Sequence, residues 1–192
     1  MTRESIRLWC NKFESKYAAR LSRKHKGYSD TFFIDEVLIK VGGKQHYLLR
    51  AVDQQGEVVD VFLQNRRDVK VAKLFFKRML MKHKGEPWEI VTDKLGSYNV
   101  AHRELIRVTI YKREKYANNR AELSHQPTRF IERGMRRSDV SEFKFMKQAQ
   151  RFLNTHTTLY NLFNLGRHLV SAETYRYFRL RSFASWNNAT AV

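Results

Sequence analysis

Asp35, Asp93 and Glu122 are the side chains whose types and order could do chemistry together. Asp35 interrupts FFIDEVLIKV (residues 32–41), a run that otherwise reads as a buried strand. A lone carboxylate is costly to bury there unless a cation or hydrogen bonds compensate it. Asp93 ends WEIVTD (residues 88–93), where a strand gives way to a loop. Glu122 lies in YANNRAELSHQPTRFIERGMRR (residues 116–137), which reads as a helix entered near Asn118 or Asn119. On that helix Glu122, His125, Gln126, Arg129 and Arg133 share one side, beside an apolar stripe of Leu123, Phe130 and Ile131. A solvated charged face is the competing reading. Two strand aspartates and a helix glutamate form a set of hard oxygen ligands suited to a pair of Mg2+ or Mn2+ ions.

The elements that must position these acids follow from the pattern around them. Residues 32–64 read as three strands, with Gly42-Gly43 and Asp53–Gly56 as the turns. Asp53 is thus a turn residue, whereas Asp60 has no evident role. Asp68 is the expected N-cap of a helix whose buried stripe is Ala72, Phe75, Phe76 and Met79. A fourth strand over residues 88–92, a short helix over 99–105 and a fifth strand over 108–111 come next. Helices are expected over residues 148–165 and from Ser171 to Trp186, both closing the core. Residues 2–19 read as a further amphipathic helix, with Ile6, Trp9, Cys10 and Phe13 at helical spacing.

The 192-residue chain is 42% hydrophobic and 13% aromatic, enough for one sizeable core. Its formal net charge of +18 calls for a polyanionic partner, and nucleic acid fits best. No apolar run is long enough to span a bilayer, and the N-terminus does not read as a signal peptide. Cys10 is the single cysteine, so neither an internal disulfide nor a zinc cluster is expected, in keeping with a reducing, cytoplasmic setting.

Four blocks carry a resemblance: DTFFIDEVLIKVGGKQHYLLRAVDQQGEVVDVFLQNRRD, IVTDKLGSYNVAHREL, YANNRAELSHQPTRFIERGMRR and YNLFNLGRHLVSAETYRYFR. In order and spacing they resemble the DDE transposases of the bacterial insertion-sequence-6 family. The resemblance implies that Asp35, Asp93 and Glu122 match the catalytic acids and that Arg129 completes the signature. It also implies an α/β ribonuclease H-like fold: a mixed five-stranded sheet with flanking helices, the first and fourth strands adjacent. The strand and helix order read above is consistent with that fold.

Further expectations follow from the same resemblance. Residues 1–26 correspond to the remnant of a helix-turn-helix plus a basic linker, lacking the bracing first helix. Residues 27–192 form the catalytic domain with its C-terminal helices. SDVSEFKFMKQ (residues 138–148) reads as an insertion relative to the family pattern. Arg20, Arg23, Lys24 and Lys26 are placed to contact DNA phosphates, as are Lys94 and Arg133. The implied reaction is DNA strand cleavage and strand transfer with two Mg2+ or Mn2+ ions. The implied partners are transposon ends and target DNA, with a homo-oligomer acting at the bacterial nucleoid and no membrane. The rival readings are an inactive remnant that binds DNA non-specifically, an RNA-binding protein and a ribonuclease H-type nuclease.

Overall fold

The dipeptide Gly42-Gly43 sets the first turn of the sheet. Both residues adopt positive φ, 55° and 77°, as the tight hairpin turn between β1 (Thr31–Val41) and β2 (Lys44–Asp53) demands. The structure, a computed structural model, describes residues 12, 16–23, 25, 27–92, 96–106, 108–112, 145–165 and 170–191. At the second turn Gly56 has φ 84°, and the Asp53 carboxylate accepts from the Gln55 N–H at 3.0 Å and the Glu57 N–H at 2.8 Å. Its other oxygen accepts from the Ser29 N–H at 3.0 Å and the Ser29 hydroxyl at 3.2 Å. One turn aspartate therefore also fastens the chain entering β1. β3 (Val58–Gln64) completes the antiparallel meander.

Asp68 caps α1 (Val69–His83) as expected, accepting the Val71 N–H at 2.8 Å. Ala72, Phe75, Phe76 and Met79 are its buried stripe. Lys84 ends the helix in the left-handed region at φ 64° and donates its N–H to the Leu80 carbonyl at 2.9 Å. The chain then enters β4 (Glu89–Thr92), which pairs parallel with β1. After α2 (Gly96–Leu105) comes β5 (Ile110–Lys112), parallel to β4. The sheet order is β3-β2-β1-β4-β5, so the first and fourth strands are neighbours.

Because side chains alternate along a strand, Phe32 and Ile34 face α1 while Phe33 and Asp35 face the other way. The α1 side holds a core of Phe32, Ile34, Leu49, Ala51 and Phe62 from the sheet, packed with Phe75, Phe76, Met79, Tyr98 and Ile106. Each large side chain buried there stabilises the fold by roughly 2 kcal/mol. Asp60, which the sequence left without a role, lies fully buried on this side. Arg78 grips it through Nε at 2.8 Å and Nη2 at 3.0 Å, and Lys82 reaches it at 2.6 Å. The Arg78 guanidinium also lies over the Phe62 ring, 4.6 Å from its centroid.

The open edge of β3 is closed by one side-chain amide. Gln150 accepts the Leu63 N–H at 2.7 Å and donates to the Val61 carbonyl at 2.9 Å, standing in for a neighbouring strand. It belongs to α3 (Met146–Phe163). The fifth strand starts two residues later than the sequence suggests. Val108 is exposed, and pairing begins where Ile110 donates to the Trp88 carbonyl at 2.9 Å.

The chain divides into two compact units. Gly27–Gln150 holds the sheet; Met1–Lys26 and Arg151–Val192 form the other. In the second unit, residues 16–23 are helical, and α4 (Ala172–Thr190) starts at the N-cap Ser171. Arg20 Nη1 donates to the carbonyls of Ala189 at 2.8 Å and Ala191 at 3.1 Å, complementing the negative end of α4. The Ser182 hydroxyl donates to the Leu162 carbonyl at 2.7 Å. The expectation that α4 closes a core is not met: only Ser182 and Ala189 are buried, and Tyr177, Leu180 and Phe183 are exposed. Arg176, Arg179 and Arg181 are interleaved with those residues, so α4 has no continuous apolar stripe to bury.

Candidate metal centre

The candidate centre starts from Asp35, half-buried in the middle of β1. Hydrophobic neighbours on both sides in sequence, Phe32 to Ile34 and Val37, commit this stretch to the sheet and carry the carboxylate with it. Across the antiparallel ladder Asp35 stands opposite Arg50 of β2. On its other side the parallel register pairs Phe33 with Val91 and Ile34 with Thr92, the last residue of β4. Asp93 follows Thr92 in sequence but lies outside the described residues.

Glu36, the acid next to Asp35, is a different kind of residue. It points to the α1 side, where Arg67 Nε meets its carboxylate at 3.1 Å and the Glu36 side chain is only 8% exposed. The DE dipeptide thus splits across the sheet, with one carboxylate neutralised by arginine.

A run of side chains that no sequence pattern announces braces the end of β4. Thr92 is fully buried, and its hydroxyl lies 2.8 Å from the Tyr111 hydroxyl. Tyr111 stacks on His102 with centroids 4.7 Å apart, and His102 Nε2 lies 2.9 Å from the Thr109 carbonyl oxygen. Alternation along β5 places Tyr111 for this contact, but the pairing of threonine, tyrosine and histidine needs the register of three separate elements. Tyr98 of α2 is a core residue, fully buried with its ring tilted against Phe76.

Of the remaining residues singled out by sequence, Glu122, Arg129, Arg133, Lys94, Lys24 and Lys26 lie outside the described residues, as do Asn118, Asn119 and the stretch 138–144. Arg20 and Arg23 are exposed in the helical unit, Arg20 with the carbonyl partners given above. Among the described residues no group of three His, Cys, Asp or Glu side chains gathers in a way that could hold a metal ion. Asp35 itself fits such an ion: it is a hard oxygen donor, half-buried and next to the end of a neighbouring strand. Among the described residues no helix is long and apolar enough to cross a membrane.

Buried Asp53 differs in its chemistry. Burial pushes its carboxyl above the usual carboxylate range, against the pull of hydrogen bonds from Ser29, Glu57 and Gln55. Four donors converge on it, and they serve the turn rather than a ligand.

The arrangement can be set beside known proteins. The DDE domain family matches residues 29–165 of this chain. The transposase for insertion sequence-like element IS431mec of Staphylococcus aureus is 38% identical over 109 residues, covering 54% of this chain and 48% of its own length. The transposase for insertion sequence element IS257 in transposon Tn4003, also from Staphylococcus aureus, matches to the same extent. The chain therefore spans about half the length of these relatives. Among solved structures, a chain of the simian T-cell lymphotropic virus intasome aligns with a TM-score of 0.51 at 16% identity, over 70% of this chain and 50% of that chain. The fold is ribonuclease H-like, with the mixed five-stranded sheet read from the sequence. By the family match over residues 29–165 and by these relatives, this chain belongs to the DDE-domain family of insertion-sequence-6-type transposases.

Proposed function

We propose that this chain carries the catalytic domain of a transposase that cleaves DNA strands and joins them to a target. The observation that carries the reading is the β1–β4 register: Ile34 pairs with Thr92, and an aspartate follows each in sequence. Were that register to continue by one residue, Asp35 and Asp93 would stand on adjacent strands and on the same face, as shared metal binding requires.

When bound, two Mg2+ or Mn2+ ions would activate the attacking oxygen and stabilise the leaving 3′ oxygen. Asp35 would contribute to both sites, with Asp93 and Glu122 holding one each. Arg129 and Lys94 would offset the charge of the phosphate at the scissile bond. Arg20, Arg23, Lys24, Lys26 and Arg133 would contact the backbone of transposon ends and target, giving affinity without base choice. The net charge of +18 supports a DNA partner. Action at the nucleoid as a homo-oligomer on paired ends belongs to the same proposal.

The test is nicking and strand transfer on duplex DNA with Mg2+ or Mn2+, comparing the wild-type chain with Glu122→Gln. Metal-dependent activity lost in the variant supports the reading. Salt-sensitive DNA binding with no metal-dependent cleavage overturns it in favour of a DNA-binding remnant. Preferential cleavage of an RNA–DNA hybrid over duplex DNA overturns it in favour of a ribonuclease.

A further inference from the structure

We propose that the outward surface of α4 binds single-stranded DNA, with bases stacking on Tyr177 and Phe183 and phosphates meeting Arg176, Arg179 and Arg181. The surface adds to the proposed function, and the choice of DNA over RNA rests on that reading.

The α4 helix buries only Ser182 and Ala189. Tyr177 is 57% exposed and Phe183 45% exposed, with Leu180 open between them. Six residues set the two rings about 9 Å apart along the axis and about 120° apart around it, so a strand that meets both crosses the helix obliquely. Phe183 is backed by Phe163 of α3, their ring centroids 5.2 Å apart, which makes it a held platform rather than a loose one.

Each ring has an arginine of its own about one helical turn away. The Arg181 guanidinium lies 5.8 Å from the Tyr177 ring centroid, and that of Arg179 lies 5.5 Å from the centroid of Phe183. A base stacked on either ring would bring its phosphate towards a permanent positive charge. Arg176, Arg179 and Arg181 are all exposed, and Glu173 in the first turn is the one acid of α4.

The occupant follows from charge and rings together. A helix with three arginines against one acid, in a chain of net charge +18, complements a polyanion and repels a second copy of itself. A lipid surface would need the cations gathered opposite the apolar side. Here about 100° per residue spreads the three arginines around the helix, between the rings. A duplex keeps its base faces stacked inside and offers the helix only phosphates, whereas an unpaired strand offers phosphates and open base faces. Strand cleavage, the proposed function, frees ends that supply such a strand.

The test is fluorescence anisotropy with the whole chain and labelled oligonucleotides of about 20 nucleotides: a DNA single strand, its duplex and the RNA of the same sequence. Tyr177→Ala is the decisive variant, because Phe183 also packs on Phe163. It is expected to weaken single-strand binding about tenfold and duplex binding by less than about twofold, whereas Tyr177→Phe, which keeps the ring, stays within about twofold of wild type on both. Replacing Arg176, Arg179 and Arg181 together by Gln should reduce the slope of log affinity against log salt by about 2 on the single strand. Equal losses on single strand and duplex in Tyr177→Ala, or none on either, overturn the stacking surface. An unchanged salt slope overturns the role of the arginines. RNA bound more than about tenfold more tightly than DNA overturns the choice of DNA. Dimerisation in sedimentation velocity, or capture by phosphatidylserine vesicles, that Tyr177→Ala abolishes at unchanged oligonucleotide affinity overturns the proposal in favour of a second copy or a lipid surface. A chain that binds the single strand through Tyr177 yet cleaves no DNA with Mn2+ overturns the proposed function and leaves the surface standing.

Discussion

Ile34 of β1 stands in parallel register with Thr92 of β4, so two strands far apart in sequence run side by side up to the point where each meets an aspartate. Thr92 is buried there and braced through Tyr111, which gives the strand end a fixed position. Glu36 offers an internal control for the role of Asp35, since it is adjacent in sequence yet faces α1 and pairs with Arg67. Asp35→Asn is expected to lower metal-dependent DNA cleavage by about 10^3-fold or more, the scale of losing a group that acts on charge in the transition state. Glu36→Gln is expected to keep cleavage within a few-fold of wild type. Cleavage rates of the two variants at saturating Mn2+ provide the check.

The buried ion cluster makes a separate prediction about stability. Asp60 is fully buried while Arg78 and Lys82 reach it from partly exposed positions. Removing the acid leaves two cations able to turn towards water, so the loss should fall at the low end of what breaking a buried pair costs. Asp60→Asn is expected to destabilise the fold by about 3 kcal/mol. Urea unfolding should show a lower midpoint with an unchanged slope.

Gln150 protects the β3 edge through two hydrogen bonds, one accepted and one donated. Gln150→Leu removes both and leaves Leu63 N–H and Val61 C=O unpaired, at a cost of about 2 kcal/mol. Gln150→Glu keeps the acceptor but sets an oxygen against the Val61 carbonyl, and should be at least as damaging. Amide exchange at Leu63, accelerated in both variants, is the specific readout.

Asp53 gives a pH dependence whose sign follows from its shift. Its folded-state carboxyl holds its proton to higher pH than an unfolded one, chiefly through burial. Between the ordinary carboxylate value and that raised value the folded chain binds more protons, so stability falls as pH rises through the window. The contribution is fully present below the unfolded value and is lost above the folded one. Unfolding free energy measured across the acid range should show this slope in the wild-type chain, and Asp53→Asn should remove it.

Local signals make much of the meander and α1 legible in the sequence alone. Gly42-Gly43 announced a turn because two consecutive residues needed positive φ, and Asp68 announced a helix because a short polar side chain preceded an apolar stripe. What stayed hidden depends on register between distant segments. Asp60 has its partners 18 and 22 residues away on α1, and Arg50 is set opposite Asp35 only once β1 and β2 have paired. The α4 helix misled for another reason: its aromatic content suggested burial, while arginines on all sides kept it at the surface. For the candidate site, the sequence alone named Asp35 and the order of the strands, whereas the Thr92–Tyr111–His102 bracing came only from the sheet.

On the proposed function, Asp35, Asp93 and Glu122 form one metal centre. Anomalous diffraction from crystals of the chain soaked in Mn2+ measures this directly. The expected result is two manganese peaks about 3.5–4 Å apart, both within about 2.5 Å of an Asp35 carboxylate oxygen, with Asp93 and Glu122 each on one ion. Manganese absent from Asp35, or Glu122 standing more than about 10 Å from an ion bound there, would contradict it.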